Sequence, residues 1–190
     1  MLETQHTTSY YAASANPSPA RPALQGSSET DVCVIGAGFT GISAALHLAE
    51  QGFKVTVLEA VQVGFGASGR NGGQIVNSYS RDIDVIERTL GADQARLLGD
   101  MAFEGGRIIR ERVARYGIDC DLKEGGVFAA LNGNHMKHLE AQKKLWERYG
   151  NTQLELLDER RIREVVNTDI YTGGMLDMSG GPIHPLNLVL

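Results

Sequence analysis

The run that decides the fold is DVCVIGAGFTGISAALHLAEQGFKVTVLEA, Asp31 to Ala60. Val32 to Ile35 is short, apolar and largely β-branched, the pattern of a strand buried on both faces of a parallel sheet. It runs straight into Gly36-Ala37-Gly38-Phe39-Thr40-Gly41. The next segment places Ile42, Ala45, Leu46 and Ala49 on one helical stripe, with Gly52 positioned to stop it. Lys54 to Leu58 predicts a second strand, ending at Glu59. The whole reads as a β-α-β unit with G-x-G-x-x-G at its first turn and an acid at the tip of its second strand.

Each residue type in that pattern has a physical job. Gly36 permits the tight turn, Gly38 lets a pyrophosphate approach the backbone at the helix N-terminus, and Gly41 lets helix pack close to strand. Glu59 is placed to accept hydrogen bonds from ribose hydroxyls. A bare G-x-G-x-x-G is weak evidence, but here strand, helix and acid agree, with seventeen residues between Gly41 and Glu59. The implied ligand is an adenine dinucleotide. A glutamate at this position disfavours the 2′-phosphate of NADP and leaves NAD and FAD.

Just beyond the acid lies GFGASGRNGGQ, Gly64 to Gln74, with five glycines and one arginine in eleven residues. Glycine gives up more conformational freedom on folding than any other residue, so such a cluster predicts a ligand held close to bare backbone. An NAD unit normally continues into another helix and strand. Here exposed amides, Ser68 and Arg70 fall where the diphosphate and the far half of a longer cofactor run, which selects FAD.

Outward from this core the chain is ordinary in bulk. Its 190 residues suffice for one domain, 42% hydrophobic and 22% charged, with 23 glycines as the one excess. A net charge of -5 and no basic patch argue against nucleic acid. Cys33 and Cys120 form no C-x-x-C and read as buried thiols of a reducing compartment. No run approaches the ~18 apolar residues of a membrane span, and the amino terminus lacks the basic and apolar regions of a secretory signal. The cytoplasm is the default location.

Residues 1–29 are rich in Ser, Thr, Ala and Pro and lack any period, which predicts an extended arm, either free or pinned by Tyr10 and Tyr11. From Asp82 the pattern turns helical: Asp82 to Leu90, Ala92 to Tyr116, with Gly105-Gly106 as a candidate kink, and Asn134 to Tyr149. Gly126 to Leu131, Thr152 to Leu157 and Gly174 to Met178 predict short strands, and Asp158 an N-cap for a helix reaching about Val166. His135 and His138 sit at helical spacing without a third metal ligand nearby, and read as surface residues. His47 reads as packing or surface, and His184, ahead of Pro185, as structural, with an approach to substrate as its alternative. Glu104 and Glu124 are acids able to attract an amine. No Ser-His-Asp, metal or paired-carboxylate constellation stands out, so the catalytic residues are unassigned.

The fingerprint followed by GASGRNGGQ is similar to the FAD-dependent amine and amino-acid oxidoreductases of the D-amino-acid oxidase group. SYYAASAN, GFGASGRNGGQIVNSYSRDIDVIE, FEGG, IIRERV, QLELLD and SGGPIHPLNL extend the resemblance over nearly the whole chain. It implies an α/β fold: a Rossmann-like FAD-binding β-α-β unit plus the start of an α+β substrate domain, truncated. The implied divisions are an arm at 1–29, the FAD unit with its second flavin loop at 30–81, a helical segment and the start of the substrate domain at 82–184, and the start of a truncated helix at 185–190.

By the same resemblance Gly36, Gly38, Gly41 and Glu59 match the FAD fingerprint, and Ser68, Gly69, Arg70, Asn71, Gly72 and Gln74 the second flavin loop. Ser68 and the glycine amides would meet the diphosphate, while Arg70 and Asn71 would lie nearer the isoalloxazine. The implied reaction oxidises an amine, most specifically γ-glutamylputrescine, to an aldehyde, with ammonia and hydrogen peroxide released and molecular oxygen as partner. Another amine or amino-acid oxidase or dehydrogenase of the group, or a non-catalytic truncated chain, is the alternative. Residues 1–190 alone are expected to be neither a competent oxidase nor a well-folded domain.

Overall fold

A computed structural model describes residues 5–77, 79 and 83–190. Two compact units emerge, one formed by residues up to Gly73 with Ile118–Asp121 and Ile183–Leu190, the other by Gln74–Gly117 and Leu122–Pro182.

The first unit contains the β-α-β element. Strand β1 (Val32–Ile35), helix α2 (Phe39–Glu50) and strand β2 (Val55–Leu58) follow a short helix α1 (Tyr10–Ala13). The strands pair in parallel, Val32 opposite Val55 through Ile35 opposite Leu58, so the chain must cross over between them, and α2 is that crossover. Val32 and Val34 are half-buried, whereas Cys33 and Ile35 point outward, Ile35 at 87% exposure. Two buried faces are thus not seen for β1 in this chain. Among the described residues its sheet has two strands, and Cys33 and Ile35 of β1 are left exposed. For the same reason Cys33 is exposed, not buried; only Cys120 is a buried thiol.

Helix α7 (Pro185–Val189) completes this unit. His184 is its N-cap: Nδ1 accepts from the Asn187 amide at 3.1 Å, and Nε2 lies 3.1 Å from the Ser14 hydroxyl. The Tyr11 ring stands edge-on to His184 at 5.0 Å, and the Asn16 amide donates to Asn187 Oδ1 at 2.8 Å. Of the two expectations for the arm, residues 10–16 show pinning, through Tyr11, Ser14 and Asn16, whereas Tyr10 is 73% exposed; His184 serves as the helix cap. Residues 17–29 are exposed.

In the second unit, β3 (Gln74–Ile75) pairs antiparallel with β7 (Gly181–Pro182). A three-stranded antiparallel sheet, ordered β4 (Gly126–Ala130), β6 (Gly173–Asp177), β5 (Leu154–Asp158), carries the helices α5 (Gly133–Arg148) and α6 (Glu159–Val166), and α3 (Ile83–Leu90) packs on α4 (Ala92–Tyr116) and α5. Caps set the helix starts. Asn132 Oδ1 accepts from the amides of Asn134 and His135, and Asp158 Oδ1 accepts from Arg161 at 2.8 Å. The core under the sheet joins Ala130, Leu139, Leu154 and Met175, with Trp146 packed against it. A second cluster, Ile83, Ala95 and Tyr149, lies among α3, α4 and α5.

Helix α4 runs unbroken through Gly105-Gly106, so the expected interruption is absent. Gly106 is needed for another reason: a Cβ there would stand 2.9 Å from Asn77 Oδ1, while one on Gly105 would meet open space. Asp82 and Arg81, which the sequence assigned to a helix start and a flavin segment, lie outside the described residues.

Candidate functional site

The turn after β1 is built as the spacing of its glycines requires. Gly36 has φ of 101°, a conformation that side chains with a Cβ rarely adopt, and its amide donates to the Leu58 carbonyl at 2.7 Å, tying the turn to β2. A Cβ on Gly41 would stand 1.9 Å from the Gly36 carbonyl oxygen and 3.4 Å from Val34 Cγ1. Only hydrogen fits between helix and strand there. Gly38 is the N-cap of α2 and supplies no capping side chain, so the positive end of the helix is left to other groups.

Two side chains from elsewhere reach that helix end. Glu59, at the tip of β2, accepts from the Ala37 amide through Oε2 at 2.8 Å and from the Val61 amide through Oε1 at 3.1 Å. The Ala37 hydrogen bond holds its carboxyl below the usual glutamate range; partial burial opposes this and loses. Glu59 is thus an ionised acceptor locked beside the glycine turn, with lone pairs left for hydroxyl donors. Ser68 Oγ accepts from the Phe39 amide at 2.9 Å and occupies the space a Cβ on Gly38 would need, 2.8 Å away. Its hydroxyl proton stays available to an anionic oxygen, so Ser68 brings the second loop to the N-terminus of α2.

That loop contains a 3-10 turn, Ala67–Gly69. Its glycines divide by purpose, and a ligand does not explain them all. A Cβ on Gly64 would collide with Val189 and Leu186 of α7, one on Gly69 with the Gly64 carbonyl at 2.3 Å, and one on Gly73 with the Ile183 carbonyl at 2.3 Å and the Tyr11 hydroxyl at 2.6 Å. Gly66 and Gly72 have open space where a Cβ would stand, which leaves their backbone accessible. The sequence had no local signal for Gly64 and Gly73, because Val189, Leu186 and Ile183 sit more than a hundred residues downstream and Tyr11 in the arm; Gly69 meets the nearby Gly64 carbonyl through the fold of the loop itself.

Asn71 is committed to the loop itself. Its Nδ2 donates to the carbonyls of Ala67 and Ser68 at 3.3 and 2.8 Å, and its Oδ1 accepts from the Gly73 amide at 2.9 Å. Arg70 is exposed; its Nε donates to the Gly66 carbonyl at 3.1 Å, and it forms no ion pair among the described residues. Its charge is therefore available to an anion. Gln74 stands in β3, opposite Pro182, and lines a cavity of the second unit.

Glu104 is bonded to Arg107 on exposed α4, and His135 Nδ1 accepts from the Leu131 amide at 3.4 Å. Among the described residues no group of three His, Cys, Asp or Glu is arranged to hold a metal, and no helix is long and apolar enough to cross a membrane.

The donors and spaces fit a dinucleotide. A helix end without a cap side chain, a close-packed glycine turn, an ionised acceptor beside it and a second loop with an unpaired arginine suit, in order, a diphosphate, its backbone approach, a ribose and a further anionic group.

Comparison with known proteins agrees. The family model described as FAD dependent oxidoreductase (DAO) matches residues 31–190. A gamma-glutamylputrescine oxidoreductase of Escherichia coli is 64% identical over 187 residues, 98% of this chain and 44% of that protein. A probable oxidoreductase, OrdL, of Haemophilus influenzae is 44% identical over 187 residues, 98% of this chain and 43% of that protein. The chain thus spans less than half the length of these relatives. Among solved structures, an L-amino acid deaminase from Proteus myxofaciens superposes with a TM-score of 0.69 at 22% identity, covering 93% of this chain and 38% of that one. An FAD-bound L-alpha-glycerophosphate oxidase from Mycoplasma pneumoniae gives 0.61 at 16% identity, covering 84% and 40%. These structural likenesses speak for the fold.

Proposed function

The chain belongs to the FAD-dependent oxidoreductase (DAO) family, and on that premise we propose that it forms the dinucleotide-binding part of an enzyme that oxidises γ-glutamylputrescine. The observation that carries the substrate is the 64% identity to the E. coli gamma-glutamylputrescine oxidoreductase along 98% of the chain. Residues 30–81 are the flavin-binding segment of this reading, and residues beyond it begin the substrate domain.

Gly36, Gly38 and Gly41 admit the diphosphate to the N-terminus of α2, and Glu59 takes the adenosine ribose hydroxyls. Ser68 donates its proton to a diphosphate oxygen while still accepting from Phe39. Gly69 and Asn71 keep the second loop in shape, Gly72 and Gln74 lead it onward, and Arg70 supplies positive charge toward the flavin end. When bound, FAD supplies the two-electron acceptor for hydride leaving the amine-bearing carbon. A cation such as Arg70 favours that step, because hydride transfer adds negative charge at the acceptor. The substrate leaves as an imine, which adds water to give γ-glutamyl-aminobutyraldehyde and ammonia. Molecular oxygen is the terminal acceptor of this reading, with hydrogen peroxide formed, and the cytoplasm its compartment.

The test uses the FAD-loaded protein at the full length of its relatives. Anaerobic addition of γ-glutamylputrescine should bleach the flavin faster than putrescine, sarcosine or glycine at equal concentration, and admitting air should restore the colour with one peroxide per aldehyde. Preferential bleaching by sarcosine or an amino acid would move the enzyme elsewhere in the family. Bleaching without peroxide in air would make it a dehydrogenase.

A further inference from the structure

The second unit buries a polar network that the flavin site does not use. Asn77, Asn151 and Ser179 are 6%, 4% and 9% exposed. Asn77 Nδ2 donates to Ser179 Oγ at 2.6 Å, Asn151 Nδ2 donates to the same oxygen at 3.1 Å, and Ser179 Oγ donates in turn to Asp177 Oδ1 at 2.5 Å. The Ser179 amide, at 2.9 Å, and Asn151 Nδ2, at 3.4 Å, also reach Asp177 Oδ1. Every path in the network ends on one carboxylate oxygen. Burying three polar side chains is unfavourable unless they satisfy one another, and a fully satisfied network holds its end group in one orientation.

The other oxygen, Oδ2, accepts no hydrogen bond among the described residues, and no Lys or Arg pairs with Asp177. Asp177 instead lines a cavity of about 330 Å³. The remaining walls are mostly apolar, with Ile75, Val76, Val127, Phe128 and Pro182 prominent and Asp177 the one charged group among the described residues. Val76 and Phe128 are 53% and 45% exposed, so two of these apolar side chains are open to solvent in this chain. Gln74, the last residue of the second flavin loop, stands in the same wall. An apolar cleft with one oriented, unneutralised carboxylate suits a ligand that carries a cation on an aliphatic body.

We propose that this cavity seats an alkylammonium group and that Asp177 is the residue that recognises its charge. The methylenes lie against Val76, Val127 and Phe128, and the ammonium donates to Oδ2. Asn77, Asn151 and Ser179 are positioning residues that act through Asp177. The assignment rests on the amine-oxidation reading above and adds a specificity determinant to it: amines with an unbranched aliphatic arm are preferred over α-amino acids, whose carboxylate would meet Asp177 with like charge.

The test is a ligand-observed NMR titration of the full-length, FAD-loaded protein with n-butylammonium chloride and, separately, n-butanol. The wild-type protein should bind the ammonium about tenfold or more tightly than the alcohol. Asp177→Asn, with unchanged flavin content, should remove that difference and leave butanol binding as it was. Val76→Trp, a change at a half-exposed position that fills the cleft, should weaken both ligands and serves should the first variant fail to fold. Equal binding of the two probes by the wild type, retained discrimination in Asp177→Asn, or undiminished binding in Val76→Trp would each overturn the proposal. If no amine bleaches the flavin while this binding pattern holds, the amine-oxidation reading fails and the assignment of Asp177 stands.

Discussion

Replacing Gly41 by alanine tests the glycine turn at its tightest point. The new methyl would lie 1.9 Å from the Gly36 carbonyl oxygen, whereas ordinary contacts begin at 3.4 Å. The N-terminal turn of α2 would have to retreat by roughly the difference, about 1.5 Å, because the obstacle is backbone and cannot rotate away. That retreat pulls the Phe39 amide from Ser68 Oγ, now 2.9 Å away, and separates the Ala37 amide from Glu59. Overpacking of this kind typically costs 1–3 kcal/mol and here should sit near the upper end, about 3 kcal/mol. Since the same displacement moves the diphosphate donors, FAD affinity should fall on the order of a hundredfold. Flavin release followed by fluorescence, together with denaturant midpoints of apo and holo protein, measures both effects. A Gly41→Ala protein with wild-type midpoint and FAD affinity would refute the argument that helix and strand leave room for hydrogen alone.

Glu59→Gln should weaken FAD by about 1–3 kcal/mol through lost charge-assisted ribose bonds, read from the dissociation constant. Because the folded-state pKa of Glu59 is depressed, its contribution to stability is present in full above the unfolded value near 4.5 and disappears as the pH falls through the lower folded value. The acid limb of the stability curve should therefore flatten in Glu59→Gln, and an unchanged limb would count against the Ala37 bond. Arg70→Ala should slow anaerobic flavin reduction more than it raises the substrate dissociation constant, and stopped-flow reduction at wild-type speed would make Arg70 a surface charge without a catalytic part. In α4, Gly105→Ala should raise stability by about 0.5–1 kcal/mol and Gly106→Ala lower it by about 1–3 kcal/mol, since only the second methyl meets Asn77. Equal denaturation midpoints for the pair would show that the helix yields.

What could be read in advance was local. The β-α-β unit announces itself because strand, turn, helix and acid are contiguous and each has a short-range signature. The cap at Asp158 and the extents of α4 and α6 follow from the same kind of signal, whereas Asn132 as the cap of α5 was not read from it. The two-residue ladder between Gln74–Ile75 and Gly181–Pro182 was invisible, because neither dipeptide has a period and the partners are over a hundred residues apart. Glycine was over-read because the groups that crowd it are set by folding. Gly64, Gly69 and Gly73 are bare largely because Leu186, Ile183 or nearby backbone stands against them. Asn71 matched a flavin-loop pattern, but local hydrogen bonds take up its side chain in ways the pattern does not encode. Asp177 passed as one acid among many, since its distinction lies in Asn77, Asn151 and Ser179, which only folding brings together.

The outward face of β1 has a chemical consequence. Cys33 is open to solvent while Cys120, at 1% exposure, is closed, so these residues give the chain two thiols of opposite accessibility. A maleimide or aromatic disulfide reagent should modify Cys33 within seconds to minutes in this chain and reach Cys120 only when the fold opens. Anything laid over β1, whether further strands or another molecule, would first register as protection of Cys33. The labelling rate at that single sulfur then times the covering of the sheet, and the rate at Cys120 times its unfolding, in one quenched reaction without a spectroscopic probe.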